Sequence, residues 1–444
     1  MILHSISQLA LQCLFSRVHK NLTERKSEMR KVRSLLHWKH AMFLASFVLF
    51  ACGDDDDDNP MSSGSSSVDV PAAYEFDSRF TSGQSSVVYT GQTVRNLLLQ
   101  DLKIFTDALG KDGAQPATAD DMLAFYAHDD SYNMSTITNP TGGFTALESK
   151  YSSISTGKNL NGKIYGEVLI EYPGKTADDL IREWIQIIAD NSQDPAKLGT
   201  PAVYTTEDGV DLSQMINKVL IGTVPYYQAT GKYLTLLFDK GNSAAKEGKT
   251  YTDMEHYWDE AFGYFGAARD YNTYSDSDIK GKVNKDSNSD GKINYNSEYN
   301  FSLAVGAAKR DVGSTSGTVD LTGDIFTAFL TGRALITAEG AQEDIAVHQV
   351  AAAEGMEKVI AATVVHYIND TLADMAAYGT SSYSETNHNK HWAEMKGYAV
   401  GLQTSSFKMI SDSQLRELAG TMGTAPVYAD PGSSAYNTAV ANLQ

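Results

Sequence analysis

Thr252-Asp253-Met254-Glu255-His256-Tyr257-Trp258-Asp259-Glu260-Ala261-Phe262-Gly263-Tyr264 is the stretch from which the fold is read. Its Trp258, Glu260, Gly263 and Tyr264 return as Trp392, Glu394, Gly397 and Tyr398, each 134 residues later. The chain holds only four tryptophans, so the same three residue types at the same spacings behind two of them mark an internal duplication. Thr252 with Glu255 three places on is a capping box, which starts a helix just before His256. At about 100° per residue, His391, Glu394 and Tyr398 share one helix face while Trp392 points the other way. In the first copy His256 and Glu260 stand four apart with Asp259 beside them, again an imidazole near a carboxylate. Gly263 and Gly397 leave room for a neighbouring helix or a ligand to approach the backbone.

The surroundings extend the helical pattern. All ten prolines lie at or before Pro225 or at or after Pro426, so a long proline-free stretch is open to long helices. Thr93 to Leu109 sets Val94, Leu97, Leu98, Leu102 and Phe105 on one stripe, and Asp178 to Ala189 does the same with Leu180, Trp184, Ile187 and Ile188. Asp344 to Asp370, rich in Ala and Val, is a further long helix. Strand-like alternation is confined to Lys163 to Tyr172, which reads as a short strand or hairpin. The expected fold is therefore mainly all-α, a duplicated helical bundle with long loops and a short β-hairpin.

Toward the N-terminus, Leu49-Phe50-Ala51-Cys52-Gly53 is a lipobox. It ends an apolar run too short to span a bilayer, preceded by Arg30, Lys31, Arg33 and Lys39. The reading is a lipoprotein signal peptide over 1–51 with Cys52 acylated, and Met29 as the working start in place of a mis-assigned one that adds 1–28. Residues 52–71, with Asp54 to Asp58 and a serine-rich run, form an acidic flexible tether, and 72–444 form the helical domain of two related halves. An acidic run directly after the lipid cysteine resembles an export signal to the outer membrane and cell surface. The leader carries eight of the 36 basic and two of the 55 acidic residues, leaving a formal charge of −25. That charge makes nucleic acid an unsuitable partner. Cys13 leaves with the leader, so any metal ligation falls to His, Asp, Glu or Tyr.

Imidazole and carboxylate at helical spacing on facing helices are how bundles build metal sites. The candidate transition-metal ligands are His256, Asp259, Glu260, His388, His391 and Glu394. His348 and His366 read as satisfied helix histidines and His128 as a loop residue. A second constellation runs from Asp286 through Asn288 and Asp290 to Gly291, with the Lys292 carbonyl. It matches a calcium loop of the EF-hand or dockerin kind up to its twelfth position, where Ser297 stands and Glu298 comes one place late. Zincin, Walker and nucleophile-elbow motifs are missing, and no catalytic residue is assigned.

Tyr89-Thr90-Gly91-Gln92-Thr93 with Arg95, and Tyr251 to His256 running into Trp258 to Gly266, resemble a domain-of-unknown-function family, DUF4856. That family consists of bacterial lipoproteins and is similar to the imelysin group, and the likeness covers Ala72 to the C-terminus. It implies an all-helical fold of two related bundles and a role in iron uptake, with some relatives classed as metallopeptidases on a GxHxxE motif. His391 and Glu394 keep the HxxE spacing, but Lys390 precedes the histidine, and His256 with Asp259 makes HxxD. Three functions follow as expectations. The first is an outer-membrane or surface lipoprotein that binds a metal, iron or haem, for an uptake receptor. The second is a metallopeptidase, and the third a glycan-binding surface lipoprotein whose tyrosines stack on sugars.

Overall fold

The computed structural model describes residues 68–128, 137–312 and 319–444. Cys52, the leader and most of the tether lie outside them. Helices α1 (Thr90–Leu109), α2 (Ala119–Tyr126) and α3 (Ala177–Ser192) come first, followed by α4 (Leu212–Ile221). α2 and α3 both start at capping boxes, Thr118 with Asp121 and Thr176 with Asp179. The apolar stripes read from the sequence are the buried faces. Val94, Leu97, Leu98 and Leu102 line α1, and Leu180, Trp184 and Ile188 line α3.

Beyond α4 the chain stays helical but widens into π turns, Gly222–Tyr226 and Gln228–Tyr233. Pro225 sits inside the first and withdraws a backbone donor. The Thr223 and Thr230 hydroxyls bond back to the Val219 and Tyr226 carbonyls at 2.7 and 2.8 Å. Then come α5 (Asp253–Phe265), α6 (Asp276–Lys280), α7 (Ser302–Val312), α8 (Leu321–Thr337), α9 (Gln342–Ala377), α10 (Glu385–Gly401), α11 (Asp412–Met422) and α12 (Ser434–Leu443). The 36-residue α9, about 54 Å long at 1.5 Å per residue, is the spine on which α7, α8 and α10 pack. Ala352, Ala353 and Gly355 form its close-approach face. A Cβ on Gly355 would lie 2.5 Å from Ile325 of α8. No described helix is long and apolar enough to cross a membrane.

The mainly all-α reading holds, with one correction. Lys163 to Tyr172 forms neither strand nor hairpin, only an isolated Leu169–Tyr172 bridge. Its backbone is held by α10 and the turn after it. The Gln403 side chain accepts from the Ile170 amide at 2.8 Å, and buried Glu171 pairs with Lys396 at 2.9 Å. The strands that do form, β1 (Thr145–Ala146) and β2 (Lys292–Ile293), pair in parallel over two residues, too few to show periodicity.

The repeated helices are α5 and α10, and each lies beside a preceding long helix: α5 on the π segment that extends α4, α10 on α9. The repeat residues play matching parts. Trp258 and Trp392 are buried, their indole N–H groups donating to the Phe329 and Met422 carbonyls at 2.9 and 3.1 Å. Gly263 admits Tyr89, and Gly397 admits Lys218 of α4; a Cβ on either would come within 2.7 Å of its neighbour.

Candidate functional site

The capping box at Thr252 and Glu255 forms as read and aims α5. It places His256 and Glu260 on a partly exposed face, with Nε2 and Oε1 3.7 Å apart. Tyr251 stacks on the His256 ring at 4.5 Å, and Gln92 of α1 donates to Glu260 at 2.6 Å. Two tyrosines complete the group. Tyr264, one turn on, stacks with Tyr233 of the π segment at 5.9 Å between centroids. Burial raises both phenol pKa values, and the Glu260 charge raises them further. The Tyr264 hydroxyl and the His256 Nδ1 are buried without a hydrogen-bond partner. Arg95, 7% exposed, is the strongest charged neighbour of Tyr264; its guanidinium bonds to the Asn159 and Gly91 carbonyls and comes close to the Tyr264 hydroxyl.

The second copy repeats this chemistry. Glu394 is flanked by Tyr367 and Tyr398, whose rings stack at 6.3 Å, and burial followed by the Glu394 charge raises both phenols. Tyr367 lies 134 residues after Tyr233, so the offset extends to a residue on the preceding helix. Arg310 of α7 takes the place of Arg95 and has a buried, unpartnered Nε. This copy is more closed: Lys218 pairs with Glu394 at 3.2 Å, although Glu394 Oε2 stays buried and unpartnered. His391 turns to Asp374 at 2.7 Å, a hydrogen bond that raises its pKa. His388 is fully buried, with Nδ1 3.2 Å from the Tyr383 hydroxyl, Nε2 unpartnered, and its pKa lowered by desolvation.

α5 packs chiefly on α1, α8 and the π segment, whereas α10 packs on α9 and α4. The six sequence candidates are thus divided between two places rather than brought to one. Asp259 is turned into the core, where Arg333 donates to it at 2.8 Å and the Tyr74 hydroxyl at 2.8 Å. Among the described residues no group of three or more His, Cys, Asp or Glu side chains is placed to hold a metal ion. The oxygen-rich character of each cluster comes from its tyrosines. Tyr233 and Tyr367 were missed in the sequence, although their 134-residue offset was there to find.

The loop from Asp286 uses its side chains on its own backbone. Asp286 accepts from the Asp290 and Gly291 amides at 3.1 and 2.8 Å, and Asn288 and Asp290 accept at 2.9 Å from the Asp290 and Lys292 amides. Glu298, off register by one, does reach the loop. Its carboxylate accepts from Ser287, Asn288 and Asn294 amides at 3.0, 3.2 and 2.8 Å.

Fold and site together define a mainly helical protein in which a repeated helix sequence sets a carboxylate and a tyrosine beside a second tyrosine and an arginine from other elements, at each of two places. The chain belongs to the family described as a domain of unknown function (DUF4856), which matches residues 71–386. No curated protein and no solved structure matches it.

Proposed function

We propose that this protein is an outer-membrane lipoprotein, exposed at the surface through Cys52, that binds ferric iron as cargo for an uptake system. The supporting observation is the Glu260–Tyr233–Tyr264–His256 cluster, reached by solvent at His256 and Glu260 and holding two buried, unpartnered polar atoms. Carboxylate and phenolate oxygens are hard, anionic donors matched to a small trivalent ion, and imidazole also suits iron. The first copy is the binding site in this reading, because its carboxylate faces a histidine and an amide rather than a lysine. Free ion rather than haem is the cargo, since a porphyrin needs a broad apolar slot and this cluster is bordered by Arg95 and Lys163. The duplication agrees with the kinship to imelysins inferred from sequence.

The alternatives have less support. A peptidase needs protein ligands around an open metal position, and the described residues offer no such triad. A glycan site would use the cavity of about 400 Å³ lined by Tyr165, Ile170, Pro173, Gln403, Lys408 and Arg416. Its one aromatic, Tyr165, is packed edge-on with Tyr227.

The test is titration of the iron-free full chain with ferric nitrilotriacetate. One iron per chain and a visible phenolate-to-iron charge-transfer band are expected. The band should vanish in Tyr233→Phe/Tyr264→Phe with the helical circular dichroism retained, and persist in Glu394→Gln. Absence of bound iron by elemental analysis would refute the proposal.

A further inference from the structure

Beside the Glu260 cluster lies a concentration of positive charge that iron binding does not explain. α1 is 20 residues long, yet its N-terminus has no side-chain cap and no acidic residue in its first turn. The amides there carry the positive end of the helix dipole. Residue 91 in that turn is a glycine, and a Cβ on it would stand 3.2 Å from both the Arg95 guanidinium and the Lys158 side chain. Two cations therefore press on the same helix end. Lys163 is within electrostatic reach of Arg95, Lys232 and Lys158, which together with its burial lower its pKa, while Glu260 opposes them. Four cations thus meet one carboxylate, in a chain whose formal net charge is −19. Among the described residues Arg95, Lys158, Lys163 and Lys232 make no ion pair. A separate observation points to a ligand: the Tyr264 hydroxyl, on a residue 1% exposed, lies beside the Arg95 guanidinium without a well-formed hydrogen bond to it or to any other described group.

We propose that the N-terminus of α1, with Arg95, Lys158, Lys163 and the Tyr264 hydroxyl, binds a small oxyanion of the carbonate, phosphate or carboxylate class. The anion would offset the charge of the buried guanidinium, accept from the Thr90 and Gly91 amides, those of Gln92 and Thr93 being bonded to the Tyr89 carbonyl, and accept the Tyr264 hydroxyl proton as a hydrogen bond. Arg95 supplies a planar donor set suited to two oxygens at once. Glycine at 91 lets the Arg95 and Lys158 side chains close on the backbone of that turn. Lys232, exposed at the rim, draws the anion in against the field of the acidic chain. An oxyanion held there lies next to Glu260 and Tyr264, so it can lend an oxygen to iron; only that last link rests on the iron proposal.

Calorimetric titration of the iron-free full chain with sodium phosphate, bicarbonate and acetate, at constant ionic strength made up with chloride, tests the site. One anion per chain is expected, with binding weakened at least tenfold in Lys158→Gln/Lys163→Gln, whose side chains reach solvent, and weakened also in Tyr264→Phe. Circular dichroism of each variant separates lost binding from lost fold, and the ranking of the three anions names the class. Absence of heat with all three, or undiminished binding in the double lysine variant, would overturn the proposal. Because iron is left out, either result stands apart from the ferric titration.

Discussion

Asp259 and Glu260 are adjacent acids on one helix, and about 100° of rotation separates their fates. Asp259 enters the core beside Glu255, and fully buried Arg333 binds both, at 2.8 and 3.1 Å. Arg79 adds a further bond to Glu255 at 3.3 Å, and the Ser86 hydroxyl accepts from Arg333 at 2.8 Å. Burial raises the Asp259 pKa while Arg333 pulls it back down, so the pair is held by geometry and not by charge alone. Arg333→Met should lower unfolding free energy by about 3–5 kcal/mol, since it leaves Asp259 without a cation in a dry interior and Glu255 with Arg79 alone. Urea denaturation followed by circular dichroism measures this, and a loss below about 1 kcal/mol would show that water reaches the network. Glu260, one position on, faces the open cluster and is available for chemistry.

At the scale of elements, two contacts govern how the long helices sit. Where α4 passes into its π extension, Gly222 meets Gly401 at the end of α10, and a Cβ on Gly401 would lie 2.8 Å from the Gly222 Cα. Gly401→Ala should therefore cost about 1–3 kcal/mol by overpacking a backbone contact that cannot yield. A thermal melt with unchanged midpoint would contradict that. The second contact joins α9 to the turn before α11. Glu357, 2% exposed, accepts from the Met409 amide with both oxygens at 2.8 and 2.9 Å, and burial pushes its pKa up to about 7. A carboxyl raised in the folded state contributes stability that is complete below its ordinary value of 4.5 and is lost as pH rises through about 7. Wild type should accordingly lose on the order of 2–3 kcal/mol relative to Glu357→Gln between about pH 4.5 and 8. Parallel stability profiles for the two proteins would show that the carboxyl stays ionised.

Across the whole molecule, the duplicated helix produces two clusters of one composition and different accessibility. The first is open beside a cationic helix end, and the second is closed by Lys218. In the proposed reading the acidic chain draws cations and the local positive cluster at α1 an anion, so that an ion and its counter-ion would bind side by side. Helix periodicity, capping boxes, the proline-free span and the repeat were all legible from the order of residues, because each depends on neighbours within a few turns of one helix. The place of Arg95 and Arg310 beside the tyrosines, the diversion of Asp259 to Arg333 and of His391 to Asp374, and the loss of the expected hairpin to Gln403 were decided only in the tertiary structure. Each joins residues far apart in the chain, and which face of a helix meets which partner is set by packing across elements, a distance that local spacing does not encode.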